Sequence, residues 1–229
     1  VGGWETVRPA RDCLQTHGVK MVGERYVPLG ATRHDHVLDE GCSRDVECVV
    51  DSLIGPSNTT YLQGLAARDP ARVGRPGHVV SFNQTEADLD DLGAAANGLL
   101  SAGSLFEEDA GAQLKTAARR HAPNGRVSSF LSTAYAAVEI IAEALVRAGT
   151  EDPKAMFKSA SSAPVATAMG PVSIDPVLRH AELRPCLSLA EDGHFRVVER
   201  MDSPIPADPY LTRRVANPIH RKHVLRIIE

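Results

Sequence analysis

Two short apolar runs in the chain are each followed by residues that suit a binding site. Ile54 and Gly55 close the first run, and Asn83 and Thr85 follow the second. An asparagine amide both donates and accepts hydrogen bonds, and backbone N–H groups at helix starts attract small polar groups. The loops that hold these residues therefore predict a small-molecule site. Trp4, in the opening stretch, either walls the same pocket or covers the first helix.

The alternative explanation for two of these polar residues is helix capping. Asn58 and Thr85 both stand near predicted helix starts, where their side chains commonly accept backbone hydrogen bonds. Three loops, at residues 1–4, 54–57 and 83–85, are each followed by such a start. Their convergence at one sheet edge favours binding, because ligands of open α/β sheets bind where strand-end loops gather.

No catalytic or nucleotide motif accompanies these loops. The chain lacks the GxSxG, GxGxxG and GxxxxGK[ST] patterns, so neither a serine nucleophile nor a nucleotide cofactor is predicted. His34 and His36 are candidate metal ligands, but their spacing on a helix places them on different faces. We expect both to be solvent-exposed and expect no metal and no other cofactor. The alternatives to a binding function are a metal-dependent hydrolase that uses His34 and His36, or a degenerate fragment that binds no ligand.

Composition narrows the class of protein. The chain has 229 residues, 43% of them hydrophobic, and a net charge of -4, which indicates a globular protein without a basic field for nucleic acid. Aromatic residues make up 4%, too few for stacking platforms. No run approaches the roughly 18 apolar residues that a membrane helix needs. The four cysteines have no CxxC spacing and are interpreted as free thiols, which favours the cytoplasm, with a periplasmic location as the alternative.

An alternation of short strands and helices must position the loops. The spacing predicts helices over 5–17, 34–40, 58–68 and 106–121, and strands over 20–27, 46–54, 78–82 and 98–103. Pro9 should then lie in the first turn of its helix. Alternating strands and helices predict a parallel sheet with helical crossovers.

The second half of the chain begins with a long helix over 129–148, whose apolar stripe contains Ala134, Val138, Ile141 and Leu145. A short helix opens at Asp152-Pro153, and strands over 171–174, 185–190 and 195–200 follow. The last two strands should form a hairpin. Residues 203–209 hold three prolines and predict an extended exit segment, and residues 213–229 form a basic tail.

The order of these segments resembles the amide-sensing and urea-type substrate-binding proteins of the type I periplasmic-binding superfamily, and most of all the AmiC-like amidase regulators. The resemblance covers about residues 1–212. It is carried by the stretches Trp4-Glu5-Thr6, Glu24-Arg25-Tyr26-Val27-Pro28-Leu29-Gly30, Ser52-Leu53-Ile54-Gly55-Pro56-Ser57-Asn58, Ser81-Phe82-Asn83-Gln84-Thr85-Glu86, Gly170-Pro171-Val172 and Pro204-Ile205-Pro206-Ala207-Asp208-Pro209-Tyr210.

The resemblance implies a Rossmann-like α/β lobe of a type I periplasmic-binding fold with an incomplete first lobe. Residues 1–121 and 163–212 would belong to the second lobe, and residues 122–162 to the first. By the same resemblance, Ile54 and Asn83 line the ligand pocket of the second lobe, with Gly55 and Thr85 beside them.

The resemblance also implies partners. The ligand would be a short amide or a urea-like solute, bound by lobe closure rather than transformed. The partner protein would be either an antiterminator-type regulator or an ABC permease. Direct binding to nucleic acid is not implied, and self-association into a homo-oligomer is left open.

Overall fold

The computed structural model describes residues 2–208, with side chains described from residue 6 onward. The basic tail at 213–229 lies outside the described residues. The chain divides into two compact units. The first unit contains the described residues up to Leu131 together with Pro185–Arg200, and the second contains Ser132–Arg184 and the described residues from Met201 onward.

The first unit is built on a mixed five-stranded sheet. Its strands are β1 (Val49–Asp51), β2 (Val79–Ser81), β3 (Leu100–Gly103), β7 (Cys186–Glu191) and β8 (His194–Arg200). They are ordered β1-β2-β3-β7-β8. The strands β1, β2 and β3 run parallel, whereas β7 and β8 are antiparallel to their neighbours. The predicted parallel sheet and closing hairpin are both confirmed.

Five α-helices come before residue 122, and the third and fourth of them connect the parallel strands, as the alternation predicts. They are α1 (Gly2–Thr16), α2 (Asp35–Gly41), α3 (Pro56–Arg68), α4 (Glu86–Leu92) and α5 (Ala112–His121), with single 3-10 turns at Pro70–Arg72, Gly93–Ala96 and Glu107–Asp109. The core lies between the sheet and these helices. Its buried members are Leu38, Tyr61, Leu62, Leu65, Val79, Leu89, Leu92, Ala96, Leu99, Phe106, Cys186, Ala190 and Phe195.

The amino-terminal region differs from the prediction in two respects. The helix α1 begins at Gly2 rather than at residue 5, so Pro9 lies inside it instead of in its first turn. Residues 20–27 form no strand. Met21 and Val22 are exposed there, because no neighbouring strand pairs with the segment and alternation alone gives it nothing to pack against.

The second unit holds a small antiparallel sheet and two helices. The strands β4 (Val165–Thr167), β5 (Gly170–Ile174) and β6 (Ala181–Glu182) are ordered β4-β5-β6. The extended segment after β8 makes one isolated bridge, from Ile205 to Leu183.

The helix α6 (Ser129–Ala148) has the predicted bounds, and the shorter helix α7 (Pro153–Ala160) follows it. By length and composition alone α6 could cross a membrane, contrary to the sequence expectation that no such run exists. Buried helices of globular domains pass the same test. Among the described residues, however, its apolar stripe is not covered: Val138 is 67% and Ile141 59% exposed.

Candidate functional site

The carboxyl ends of β1 and β2 lie side by side. Asp51 pairs with Ser81 in the parallel register, and the Phe82 amide donates to the Asp51 carbonyl at 3.2 Å. Because parallel strands end at the same edge, the loops that follow them leave from one place. We call residues 52–55 and 82–85 the carboxyl edge.

Asn83 joins the two loops of the carboxyl edge. Its side-chain nitrogen donates to the Ser52 carbonyl at 2.8 Å and approaches the Leu53 carbonyl at 3.5 Å. The structure thus brings Asn83 beside the residues that precede Ile54. Its side-chain carbonyl oxygen has no hydrogen-bond partner among the described residues, which leaves one acceptor for an N–H or O–H donor.

Apolar side chains flank this amide. Ile54 is 49% exposed and Phe82 40% exposed, whereas most large apolar side chains near the sheet are buried. The carboxyl edge therefore offers apolar surface next to a hydrogen-bonding group, which is the usual composition of a small-molecule site. Phe82 was predicted only as part of a strand. The sequence feature that could have identified Phe82 is its position as the last residue of the apolar run at 78–82, where the strand ends and the loop begins.

Gly55 shapes the first loop. Its backbone has φ 59° and ψ -146°, and its carbonyl accepts from the amides of Asn58 at 2.9 Å and Thr59 at 3.2 Å. Glycine reaches a positive φ without the steric cost that a Cβ imposes. Gly55 is thus the N-cap of α3, which begins at Pro56, and the alternative explanation that Asn58 caps this helix is wrong.

Asn58 instead lies within α3 and is fully buried. Its side-chain nitrogen donates to the Leu53 carbonyl at 2.8 Å, and this bond attaches the first loop of the carboxyl edge to α3. The cap prediction failed because the turn conformation of Gly55 lets the helix begin at Pro56, earlier than the polar residues indicated.

Thr85 is the helix cap that its alternative explanation described. Its hydroxyl accepts from the Ala87 amide at 3.3 Å and donates to Asp88, whose carboxylate also accepts from the Thr85 amide at 2.8 Å. This capping box leaves Thr85 buried, at 4% exposure. Its role as a ligand residue stays a prediction.

Trp4 lies inside α1 rather than in a loop at the end of a strand, so the prediction of a loop over its position is wrong for residues 2–4. Its side chain falls outside the described side chains. A role for Trp4 in a pocket stays a prediction.

A buried carboxylate supports both loops. Asp51 is 4% exposed; its carboxylate accepts from the Leu53 amide at 2.8 Å and from the Ser81 hydroxyl at 3.2 Å. Burial raises the pKa of Asp51 to about 6, opposed only in part by hydrogen bonds from Leu53, Asn58 and Ser81. Sequence reasoning missed Asp51, although an acidic residue closing a β-branched strand was visible.

A second buried carboxylate lies at the start of α4. Glu86 is 1% exposed, and one of its carboxylate oxygens accepts from the Glu107 amide. The other oxygen has no partner among the described residues. Burial raises the pKa of Glu86 to about 7. Glu86 therefore ties the start of α4 to the turn at Glu107 without facing solvent.

The candidate metal ligands are not brought together as a site. His34 is buried, contrary to the expected exposure, and its Nε2 lies 3.0 Å from the Thr60 hydroxyl; His36 is exposed. Within residues 2–208 no group of three or more His, Cys, Asp or Glu side chains is arranged to hold a metal ion. His34 is buried because it packs edge-on against Tyr61, at 5.8 Å between ring centres.

Comparisons with known proteins place this geometry in a family. The family model described as "Periplasmic binding protein domain" matches residues 1–216. A search of curated proteins gave no significant match. Members of the family are substrate-binding proteins rather than enzymes.

Solved structures with the same fold include several solute-binding proteins of ABC transporters. The chain is similar to one from R. palustris in complex with benzoate, at TM-score 0.71 and 14% identity over 85% of this chain and 54% of that one. It is also similar to one from Sphaerobacter thermophilus, at TM-score 0.71 and 18% identity over 88% and 57%. A leucine-binding protein from Thermotoga maritima gives TM-score 0.60 and 16% identity over 80% and 51%. The chain spans about half the length of these proteins.

The family also corrects one prediction. The expected cytoplasmic location is wrong, because the matching proteins are periplasmic solute-binding proteins, which work outside the cytoplasm. The expectation depended on cysteines without disulfides, and no disulfide joins the four cysteines. Cysteines without disulfides therefore did not indicate the cellular compartment. The α/β sheet, the strand-end loops and the match over residues 1–216 together show that the chain belongs to the periplasmic binding protein family, type I.

Proposed function

We propose that the carboxyl edge is one wall of a solute-binding site, and that it holds a small solute without transforming it. The observation that carries this proposal is the hydrogen bond from Asn83 to Ser52, which joins the two loops beside an exposed Ile54. Ile54 would contact an apolar part of the solute, Asn83 would accept a hydrogen bond from it, and Gly55 would set the loop conformation.

The proposed ligand class is a short amide or a urea-like solute. Its N–H group would donate to the Asn83 side-chain oxygen, and its short alkyl group would lie on Ile54. The support is the acceptor left over at Asn83, together with the resemblance of residues 1–212 to amide and urea binders.

Aromatic carboxylates are the second candidate class. The exposed Phe82 favours them, because an aromatic side chain stacks on a ring, and two R. palustris neighbours were solved with benzoate and 4-hydroxybenzoate. The para hydroxyl of 4-hydroxybenzoate would supply the donor that Asn83 needs, whereas benzoate has none.

A complete site would need a second wall. The matched structures are about twice as long as this chain, and their unmatched part would supply that wall in a full-length protein. We assign residues 1–121 and 163–212 to the second lobe and residues 122–162 to the first. Closure of the lobes on the solute would then shift the population toward the closed form.

The exposed stripe of α6 supports the lobe assignment. Val138 and Ile141 lie on an apolar face of a 20-residue helix whose buried members are the small residues Ser132, Ala136 and Ala144. We assign the sheet of the first lobe as the occupant of this face, since helices of α/β folds cover apolar sheets. The unmatched half of the neighbours is the part that would hold such a sheet.

The proposed partner is an ABC permease that receives the solute. The family placement favours it over an antiterminator-type regulator, which would require a cytoplasmic site of action. A homo-oligomer stays a prediction of the sequence.

A thermal-shift screen tests the proposal. Acetamide, butyramide, urea, benzoate and 4-hydroxybenzoate are each added to the protein, and a solute present at 100 times its Kd stabilises the native state by about 2.7 kcal/mol. Ile54→Lys should abolish the shift. Val177→Lys is the matched control, because Val177 is 82% exposed in the second unit. Equal shifts in both variants would place the solute elsewhere.

A further inference from the structure

The two loops of the carboxyl edge share one buried anchor. Asp51 receives a hydrogen bond from the Leu53 amide in the first loop at 2.8 Å. It receives another from the Ser81 hydroxyl at 3.2 Å, and that hydroxyl oxygen in turn accepts from the Asn83 amide at 3.3 Å. A single carboxylate is therefore connected to the backbone of both loops.

The network closes on itself through side-chain amides. The Asn83 side-chain nitrogen donates to the Ser52 carbonyl, and the Asn58 side-chain nitrogen donates to the Leu53 carbonyl. The Asn83 and Asn58 side chains therefore bind the same loop, at Ser52 and Leu53, whose backbone Asp51 also holds. Networks of this kind hold a geometry more firmly than their separate bonds would.

Neutral groups surround the carboxylate. Ser81 from β2 and Asn58 from α3 contact it, and Tyr61 of α3 is the titratable side chain whose own ionisation it influences. Among the described residues, burial raises the pKa of Asp51, and hydrogen bonds from neutral donors lower it. Retaining a buried carboxylate without a counter-ion costs stability, so its presence calls for a role other than stabilising the fold.

We propose that Asp51 is a positioning residue, whose carboxylate holds Ile54 and Asn83 in their binding geometry while making no contact with the solute. This inference depends on the proposed function, because it assumes that the carboxyl edge is the binding wall. The Leu53 amide and the Ser81 hydroxyl converge on Asp51, each on its own carboxylate oxygen.

Protonation of Asp51 disturbs this arrangement. The added proton turns one acceptor oxygen into a donor, which then needs an acceptor of its own. The Asn58 side-chain oxygen is buried and has no partner among the described residues, so a rearranged Asn58 amide would offer that proton an acceptor. Asn58 already holds the Leu53 carbonyl, and its rearrangement would move the loop that carries Ile54.

Hydrogen exchange of individual amides tests the proposal without any solute. The amides of Leu53 and Asn83 should lose protection by about tenfold in Asp51→Asn and in Ser81→Ala at about pH 7.5, because each change removes a charge-assisted bond or the link through it. Ser188→Ala is the matched control. Ser188 is a buried strand serine of the same sheet whose hydroxyl has no partner among the described residues.

The pH profile separates positioning from a merely structural role. In the wild type, protection of Leu53 and Asn83, corrected for intrinsic exchange, should fall by about tenfold between pH 7.5 and pH 5, and in Asp51→Asn it should not change. The Phe82 amide, which is bonded to a backbone carbonyl, should keep its protection throughout.

The outcomes are distinct. Wild-type protection in both Asp51→Asn and Ser81→Ala, or a pH profile identical in wild type and Asp51→Asn, would overturn the proposal. If Asp51→Asn does not fold, Ser81→Ala with its Ser188→Ala control decides. A repeat of the solute screen with acetamide and 4-hydroxybenzoate separates the positioning role of Asp51 from the binding function. If hydrogen exchange changes as expected but the wild type shows no thermal shift, only the binding function is contradicted.

Discussion

The side-chain nitrogen of Asn83 lies 2.8 Å from the carbonyl oxygen of Ser52, so a residue after β2 holds the loop after β1. The side-chain nitrogen of Asn83 therefore stabilises the loop, whereas its side-chain oxygen is an acceptor without a partner among the described residues. This division separates what its loss should do to stability from what it should do to binding.

Asn83→Ala should lower the free energy of unfolding by about 1 kcal/mol, the usual net worth of one hydrogen bond. Urea denaturation measures the loss. Asn124→Ala is the control, because exposed Asn124 also donates to a backbone carbonyl, that of Ala87, at 3.1 Å. An equal loss in both variants would mean that Asn83 does no more than an ordinary surface amide.

Gly55→Ala should destabilise the protein by about 1 kcal/mol, because alanine is strained at φ 59°. No neighbouring atom lies within 4 Å of the added Cβ, so the cost is backbone strain alone. Gly111→Ala is a matched control, since Gly111 also precedes a helix and has open space but has φ -67°. Thermal denaturation should show the larger loss for Gly55.

Thr85→Ala should cost about 1 kcal/mol through loss of the capping box, whereas Thr85→Ser should retain most of the stability. If Thr85 is only a cap, neither substitution should change the affinity of the protein for its solute. A loss of affinity in Thr85→Ser, with the fold intact, would instead support the ligand role that the sequence predicted.

Glu86→Gln should make stability less dependent on pH. The folded pKa of Glu86 is raised to about 7, so its neutral form favours folding below the unfolded pKa, and that contribution is lost as pH rises through 7. At pH 8 the glutamine variant should therefore gain stability relative to its difference at pH 4, by about 3 kcal/mol. Urea denaturation at both pH values measures it, and a constant difference would contradict the raised pKa.

Charged substitutions on the stripe of α6 should be tolerated in this chain. The double variant Val138→Glu with Ile141→Glu should change stability by less than about 0.5 kcal/mol, because both side chains are exposed. Ala144→Glu, at a buried position of the same helix, should be strongly destabilising. Light scattering should also show less self-association for the double variant. Unfolding of the double variant would mean that the stripe is covered.

Much of the fold could be predicted from patterns that are local in the sequence. The periodicity of α6 gave its bounds, and the turn at 191–193 gave the hairpin of β7 and β8. The segment at 20–27 shows the limit of this approach, since strand formation needs a partner that local alternation does not reveal.

The candidate site was predicted in part. The adjacency of the loops that carry Ile54 and Asn83 follows from parallel strands, and the structure has it. Asp51 was missed because its value lies in contacts with Leu53 and Ser81, and the contact with Ser81 spans 30 positions of the sequence. The starting point of α3 was missed because Gly55 adopts a conformation that no periodic pattern encodes.

The most direct test of the central claim is an amide chemical-shift titration of this chain with acetamide and, separately, with 4-hydroxybenzoate. We expect saturable changes that are largest at Ile54, Gly55 and Asn83 for at least one of the two solutes. Saturable changes confined to other parts of the chain, or no saturable change with either solute, would contradict a binding wall at the carboxyl edge.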